Sequence, residues 1–309
     1  MRKRSLRSSE RTLVVEGAEL LSVALDAGAP IEAVYVAPEG RSSRAVADVV
    51  DRAFARGVRV FDLDPGVVER IADTVTPQPL LAVVGYVPAV LEDAREATAV
   101  LVLVDVRDPG NAGTMIRTAD AAGIDAVICC DGTVAPTNPK TVRASAGSLF
   151  HLPVVAGGDP AVVVETLRDW GFITVGTTAR DGVDYTEFDW SRRVALVFGN
   201  EASGLDAPLL DRLGGSVSIP MAGRAESLNV SVAAAVLCFE VQRRRRSTGG
   251  APPAGGTRAG GTPAAATAPV GTDPAATARR PTVDDMEAAR PGPAEQTGGG
   301  TGGTGGETR

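Results

Sequence analysis

Residues Val100–Val104 read Val-Leu-Val-Leu-Val, five positions without a polar side chain. Successive strand residues face opposite sides of a sheet, so such a strand is apolar on both faces and both must be covered. Helices packed on either side of a parallel sheet meet that demand. Ala126–Cys130 and Val194–Phe198 repeat the pattern, and Phe172–Val175 and Ser216–Ile219 read as further strands. Helices are predicted at Ala112–Ala122, Ala161–Trp170 and Ser227–Arg243, with Gly123 and Gly171 where helix stops belong. The alternation predicts an α/β domain on one parallel sheet. Periodicity leaves the order of its strands open.

A smaller α/β layer precedes it. Thr12–Val15 reads as a strand or helix entry. Glu16–Ala27 reads as a helix with Ala18, Leu21, Ser22 and Leu25 on one face and Gly28 as its stop. Strands are predicted at Ile31–Val36, Val58–Phe61 and Leu80–Val87, and helices at Ser43–Arg56 and Pro65–Ala72. The polar connection from Pro88 to Thr98 separates a domain of residues 1–92 from one of 97–246. From Ser247 the chain turns to Gly, Ala, Pro and Thr and ends TGGGTGGTGGETR. Such a segment buries too little apolar surface to offset its ordering entropy, so 247–309 is expected to be a disordered tail.

The formal charge of −7 argues against a uniformly basic nucleic-acid binder. A local basic face is compatible with it. Arg2, Lys3, Arg4, Arg7 and Arg11 form one basic cluster and Arg243–Arg246 another; each reads as a solvated terminus or a phosphate contact. Cys129, Cys130 and Cys238 have no metal-ligand spacing and sit in apolar stretches, as buried small hydrophobes do. No apolar h-region follows the basic start, and the apolar runs are too short to span a bilayer. The chain reads as a reduced, cytoplasmic protein without a membrane segment. Its single histidine, His151 in SLFHLPVV, reads as a packed structural residue.

Three loops at strand ends carry polar chemistry. Asn111-Ala-Gly-Thr-Met-Ile-Arg117 follows a strand and Pro109-Gly110, so Asn111 is expected to cap a helix whose second turn bears Arg117. Met115, Ile116 and Ala119 make an apolar setting for that guanidinium. It therefore calls for an anion, either a structural partner such as Glu201 or Asp105 or a ligand phosphate. In Phe198-Gly-Asn-Glu-Ala-Ser-Gly-Leu205 the glycines permit close backbone approach, while Asn200 and Ser203 also suit a turn. Ile219-Pro-Met-Ala-Gly-Arg-Ala-Glu-Ser-Leu-Asn229 leads into the last helix, where Ser227 and Asn229 can cap it or bind a ligand. There is no G-x-G-x-x-G at the first βα turn, no P-loop and no HExxH or cysteine cluster for a metal.

These segments resemble the three motifs of the SpoU (TrmH-type) branch of the SPOUT superfamily, S-adenosylmethionine-dependent RNA ribose 2′-O-methyltransferases. N-x-G-x-x-x-R matches Asn111, Gly113 and Arg117; F-G-N-E-x-x-G-L matches Phe198–Leu205; I-P-M…S-L-N-V-S matches Ile219–Met221 and Ser227–Ser231. Pro139-Lys-Thr-Val-Arg-Ala-Ser-Ala-Gly147 is similar to the family's K-x-x-R-x-S-x-G stretch. Thr12-Leu-Val-Val-Glu-Gly17 resembles the ribosomal-protein-like substrate domain that precedes the catalytic domain in ribosomal RNA members.

The resemblance implies a SPOUT-type parallel sheet with a C-terminal trefoil knot, a homodimer and no metal. It implies S-adenosylmethionine held by Phe198, Gly199, Asn200, Gly204, Ile219, Met221 and Leu228. It assigns Arg117 to the reacting 2′-oxygen, with Asn111, Glu201, Ser227 and Asn229 positioning it and the ribose. Arg7, Arg11, Arg143 and Ser145 are the expected RNA contacts. The implied substrate is RNA, 23S ribosomal RNA ahead of transfer RNA, and the alternative is a non-catalytic RNA-binding assembly or resistance factor.

Overall fold

The computed structural model describes residues 11–71 and 76–247. Arg7, the basic cluster before Arg11 and the tail from residue 248 lie outside the described residues. The first part runs β1 (Thr12–Glu16), α1 (Ala18–Asp26), β2 (Ile31–Val36), α2 (Arg44–Ala55), β3 (Arg59–Asp62), α3 (Val67–Ile71) and β4 (Leu80–Gly85). Its sheet has the order β1-β4-β2-β3, with only the β2–β3 pair parallel. Helices α1 and α2 bury Leu20, Leu21, Ala24, Leu25, Val46, Val49 and Ala53. The apolar face of α1 thus centres one position away from the predicted one. Ser22 lies at its rim, where its Oγ accepts from Arg52 Nη1 at 2.7 Å.

The second part runs β5 (Ala99–Leu103), α4 (Pro109–Ala122), β6 (Ala126–Cys129), α5 (Pro139–Ala144), β7 (Val154–Ala156), α6 (Pro160–Asp169), β8 (Ile173–Thr177), β9 (Val183–Asp184), β10 (Val194–Phe198), α7 (Ala207–Leu210), β11 (Gly215–Ser218) and α8 (Val230–Ser247). Seven strands form an all-parallel sheet in the order β7-β6-β5-β10-β8-β11-β9. Alternation divides its side chains between two cores. Leu101, Leu103, Leu196 and Phe198 pack with Met115, Ile116, Ala119, Leu237 and Cys238 of α4 and α8. Val100, Val102, Ala195 and Val197 pack with Val163, Val164, Leu167 and Leu209 of α6 and α7. The Val, Leu, Ile, Phe and Met side chains among them contribute about 1.5–3 kcal/mol each relative to exposure, and β5 and β10 are buried at every position. The elements absent from the sequence reading, β7, β9, α5 and α7, have two to six residues, too few to show a period.

Helix starts are set by a dipeptide. Asp108-Pro109, Asn138-Pro139 and Asp159-Pro160 open α4, α5 and α6, each Asx side chain accepting from the first turn. Proline suits the first helical position because that N–H has no intrahelical partner. The cap of α4 is therefore Asp108, whose Oδ1 accepts from Asn111 N at 2.7 Å. Asn111 is not the cap, and Arg117 falls on the third turn. The cysteines are buried as expected, and burial pushes their thiols up to about 12. His151 departs from expectation: it is exposed, with Nδ1 2.8 Å from Asp120 Oδ2. No helix among the described residues is long and apolar enough to cross a membrane.

The two sheets are joined at Glu16. Its carboxylate accepts from Gln78 N at 2.8 Å and from Arg143 Nη1 at 3.2 Å. Beside it, Gly147 (φ 94) abuts Val23, where an added Cβ would lie 2.5 Å from a methyl. Gly113 plays the same part where α4 crosses α5: a Cβ would stand 2.5 Å from both Ala144 Cβ and the Thr141 carbonyl. Gly113→Ala should therefore cost about 1–3 kcal/mol by overpacking, read as a lower midpoint in urea unfolding.

Candidate active site

β5 and β10 are neighbours in parallel register, with Leu103 opposite Phe198, so the loops that leave them lie side by side. The loop after β10 closes on itself. Asn200 N donates to the Gly204 carbonyl at 3.1 Å, and Gly204 N returns the bond to Asn200 at 2.9 Å. A Cβ on Gly199 would sit 2.2 Å from the Gly204 carbonyl carbon, and Gly204 has φ 67. Both glycines are required by this closure itself. Asn200 Oδ1 accepts from Ala202 N and Ser203 N, and its Nδ2 donates to the Asp105 carbonyl at 2.9 Å and to Asp105 Oδ2 at 3.2 Å. The Asn200 side chain thus shapes the two loops and ties them together.

Glu201 is the next junction. Its carboxylate accepts from Arg107 N (3.2 Å), Asp108 N (3.0 Å) and Asn111 Nδ2 (3.1 Å). Asn111 Oδ1 accepts from Asn229 Nδ2 at 3.0 Å, and Asn229 Oδ1 accepts from Ser231 N and Oγ at the start of α8. A carboxylate can only accept, so Asn111 must turn its amide nitrogen to Glu201 and its oxygen to Asn229. That in turn orients Asn229 as the cap of α8. One polarised chain of hydrogen bonds therefore connects all three sequence motifs. Burial acts to raise the Glu201 carboxyl, but the backbone N–H of Glu201 itself, the Asn111 amide and the N–H groups of Asp108 and Arg107 outweigh it and hold it below the usual range.

The structure brings together Asn111, Glu201 and Asn229 and leaves other predicted residues apart. Arg117 is exposed and has no ion pair among the described residues, neither with Glu201 nor with Asp105. Six positions beyond Asn111, it lies about 120° round the helix and roughly 9 Å along it. Ser227 is exposed on the loop before α8. Phe198 is buried in the sheet, and its carbonyl accepts from Val104 N at 2.8 Å. Ile219, Met221 and Leu228 belong to a loop in which no backbone group from Pro220 to Leu228 is hydrogen-bonded to another described residue.

Of the expected RNA contacts, Ser145 is corrected: it is fully buried and its hydroxyl donates to the Val142 carbonyl at 2.7 Å. Arg143 is engaged by Glu16, and Arg11 lies at φ 49 with its carbonyl accepting from Tyr86 N. In the Arg243–Arg246 run, Arg243 and Arg244 pair with Glu240 and Arg245 binds Thr98, so these three serve the fold.

Arg107 and Asp108 were missed, and Asp105 was read only as a partner for Arg117, with which it makes no ion pair among the described residues. The Asp-Pro pair preceding an apolar helix was the available signal for Asp108. A cavity of about 520 Å³ lined by Thr178, Ala179, Arg180, Asp181, Leu210, Asp211, Gly215 and Ser216 contains none of the predicted residues. Its rim reaches the last loop through Arg180 and Glu226, 3.7 Å apart.

Because the folded Glu201 carboxyl lies below its ordinary value near ~4.3, it contributes stability above that pH. That contribution is lost as pH falls through the depressed folded value. Glu201→Gln should thus lower stability at pH 7 and flatten the acid limb below about pH 4.3, measured by urea unfolding across pH.

Residues 98–239 match the SpoU rRNA Methylase family, and residues 1–82 match the MRM3-like substrate binding domain. Among curated proteins, 23S rRNA (guanosine(2553)-2′-O)-methyltransferase RlmP of Bacillus subtilis is 38% identical over 236 residues, covering 76% of this chain and 90% of its own. Among solved structures, the AdoMet-bound rRNA methyltransferase from Sinorhizobium meliloti has a TM-score of 0.68 at 34% identity, covering 78% of this chain and 90% of that one. The SpoU methyltransferase AviRb from Streptomyces viridochromogenes, with AdoMet, has a TM-score of 0.69 at 31% identity, covering 79% and 94%. With three motifs joined through Glu201 on an all-parallel sheet, and with relatives that match nearly end to end, this chain belongs to the SpoU rRNA methylase family.

Proposed function

We propose that this chain transfers a methyl group from S-adenosylmethionine to a ribose 2′-hydroxyl of 23S ribosomal RNA, in the cytoplasm. The observation that carries the reading is the chain of hydrogen bonds Asn229–Asn111–Glu201, which joins residues far apart in sequence at the ends of two central strands. Strand ends are where open α/β sheets place ligands.

The residues present fit the methyl donor. The backbone from Pro220 to Leu228 keeps its N–H and C=O groups uncommitted among the described residues, available to a purine edge. Ile219, Met221 and Leu228 add partly exposed apolar surface to the same loop. When bound, the donor supplies an electrophilic methyl group on a sulfonium. The 2′-oxygen bonds to that carbon as the carbon–sulfur bond breaks, and the hydroxyl proton passes to solvent.

The protein's task is to favour the negative charge that builds on the 2′-oxygen. Arg117 is assigned this role, since its guanidinium is exposed with no ion pair among the described residues. A guanidinium stays protonated, so it acts by electrostatic stabilisation and does not take the proton. Glu201, held anionic, is a poor base as well; its role is to orient Asn111 and, through its remaining acceptor capacity, a ribose hydroxyl. Ser227 and Asn229 hold the ribose from the opposite loop. Residues 1–92 form the substrate domain and 97–246 the catalytic domain, and Arg143 positions the first on the second through Glu16.

The reading carries with it a trefoil knot in the chain from β10 to α8 and a homodimer. Supporting the dimer, Val232 and Phe239 are exposed seven positions apart on one face of α8. Phe239→Arg should convert dimer to monomer in sedimentation equilibrium.

Mapping 2′-O-methylation in total RNA with and without the protein tests the activity; loss of no site would overturn it. Arg117→Lys should lower kcat by about 100-fold or more with the fold intact. Near-normal turnover of that variant would exclude a role for the guanidinium fork.

A further inference from the structure

Arg107 is not among the motif residues, yet it sits inside the cluster they form. Its backbone N–H is one of the donors on Glu201, and it immediately precedes Asp108, the cap of α4. Its side chain does not follow its backbone onto Glu201. Nε donates to Asp105 Oδ1 at 2.9 Å, while Nη1 and Nη2 have no hydrogen-bond partner among the described residues. The side chain is 73% exposed.

The acceptor behind Arg107 is held at some cost. Asp105 has φ 54, the left-handed region that few residues other than glycine adopt. Asn200 clamps both its carbonyl and its Oδ2. Opposite, Gly132 leaves it space, since a Cβ there would lie 3.0 Å from Oδ1. An ordinary surface ion pair requires none of this and contributes little. The arrangement fixes the direction of a guanidinium by its Nε edge and leaves its two terminal amino groups facing solvent. That is the fork that matches two oxygens of one phosphate. The neighbouring carboxylates are exposed but engaged: Asp108 Oδ1 accepts from Asn111 N, and Glu201 accepts from the N–H groups of Arg107 and Asp108 and from the Asn111 amide, whereas the terminal amino groups of Arg107 are open.

We propose that Arg107 is a substrate-positioning residue whose guanidinium, aimed by Asp105, binds a backbone phosphate of the RNA beside the ribose to be methylated. The proposal rests on the function given above and extends it to a phosphate subsite at the β5–α4 loop. It also means that Asn200, which shapes the loop after β10, sets the position of Arg107 through Asp105.

The test compares the full chain with Arg107→Ala, Arg107→Lys and Asp105→Asn, using protein-free 23S ribosomal RNA as the probe. Filter binding is measured across a range of KCl, S-adenosylmethionine binding by calorimetry, and steady-state methylation alongside. For Arg107→Ala, KM for RNA should rise about tenfold, with kcat within about twofold and donor affinity unchanged. The slope of log affinity against log salt should become shallower by roughly 0.7–0.9, as expected for one phosphate contact fewer.

Arg107→Lys should keep the slope and recover only part of KM, because the charge remains and the fork is lost. Asp105→Asn, which tolerates the left-handed backbone, should show an intermediate KM. An unchanged KM and slope in Arg107→Ala would overturn the proposal. So would weakened donor binding with RNA affinity intact, which would assign the fork to the donor's carboxylate. If the wild-type chain binds this RNA in a salt-dependent manner but methylates no RNA, the parent reading fails while the slope still reports on Arg107.

Discussion

The Glu201 carboxylate accepts from two backbone N–H groups of the loop after β5 and from the Asn111 amide, and much of the site's order follows from its being an acceptor alone. Had a neutral amide stood there, either orientation of Asn111 would satisfy it. With a carboxylate, the nitrogen of Asn111 must face Glu201, its oxygen must face Asn229, and Asn229 must then cap α8. A single fixed charge thus sets the direction of every hydrogen bond from the loop after β10 to the last helix. Mutual polarisation makes such a chain stiffer than its separate bonds.

That network rests on strands that are close-packed on both faces. β5 and β10 are buried on both faces, each between a layer containing α4 and α8 and a layer containing α6 and α7. Close packing resists displacement of either strand, so the loops that leave them start from fixed points. The irregular backbone is confined to those loops: Asp105 in the left-handed region, Gly199 pressed against Gly204, and the uncommitted stretch from Pro220 to Leu228. Strain of this kind persists where the surroundings over-determine it. Here Asn200 supplies the restraint.

Several residues drawn to the site by sequence resemblance also serve the fold. Arg143 and Gly147 belong to the stretch read as RNA-binding, yet one pairs with Glu16 and the other meets Val23, so this stretch joins the two sheets. Ser145, in the same stretch, is buried and bonded within its own turn. Gly199 and Gly204 close a loop, and Gly113 admits α5 against α4. A glycine or small polar residue in a motif has the same sequence signature whether the close neighbour is a ligand or the chain itself. Only the tertiary structure distinguishes these cases.

The sequence alone determined the layering, the longer strands and the motif residues, because these depend on local pattern. Val100–Val104 and Val194–Phe198 have no polar face to leave in water, which dictates helices on both sides. The start of α4 was equally local, in Asp108-Pro109, although Asn111 was the residue read as its cap. What only the tertiary structure decided is which side chains meet. The link from Asn111 to Asn229 spans 118 positions and that from Asn111 to Glu201 spans 90. The exposure of Arg117 and the pairing of Arg107 with Asp105 depend on helix phase and on a left-handed residue. Periodicity carries no information about contacts at such separations. They arise when β10 inserts beside β5, and the physical reason is the sheet order, which brings two distant strand ends within hydrogen-bonding distance.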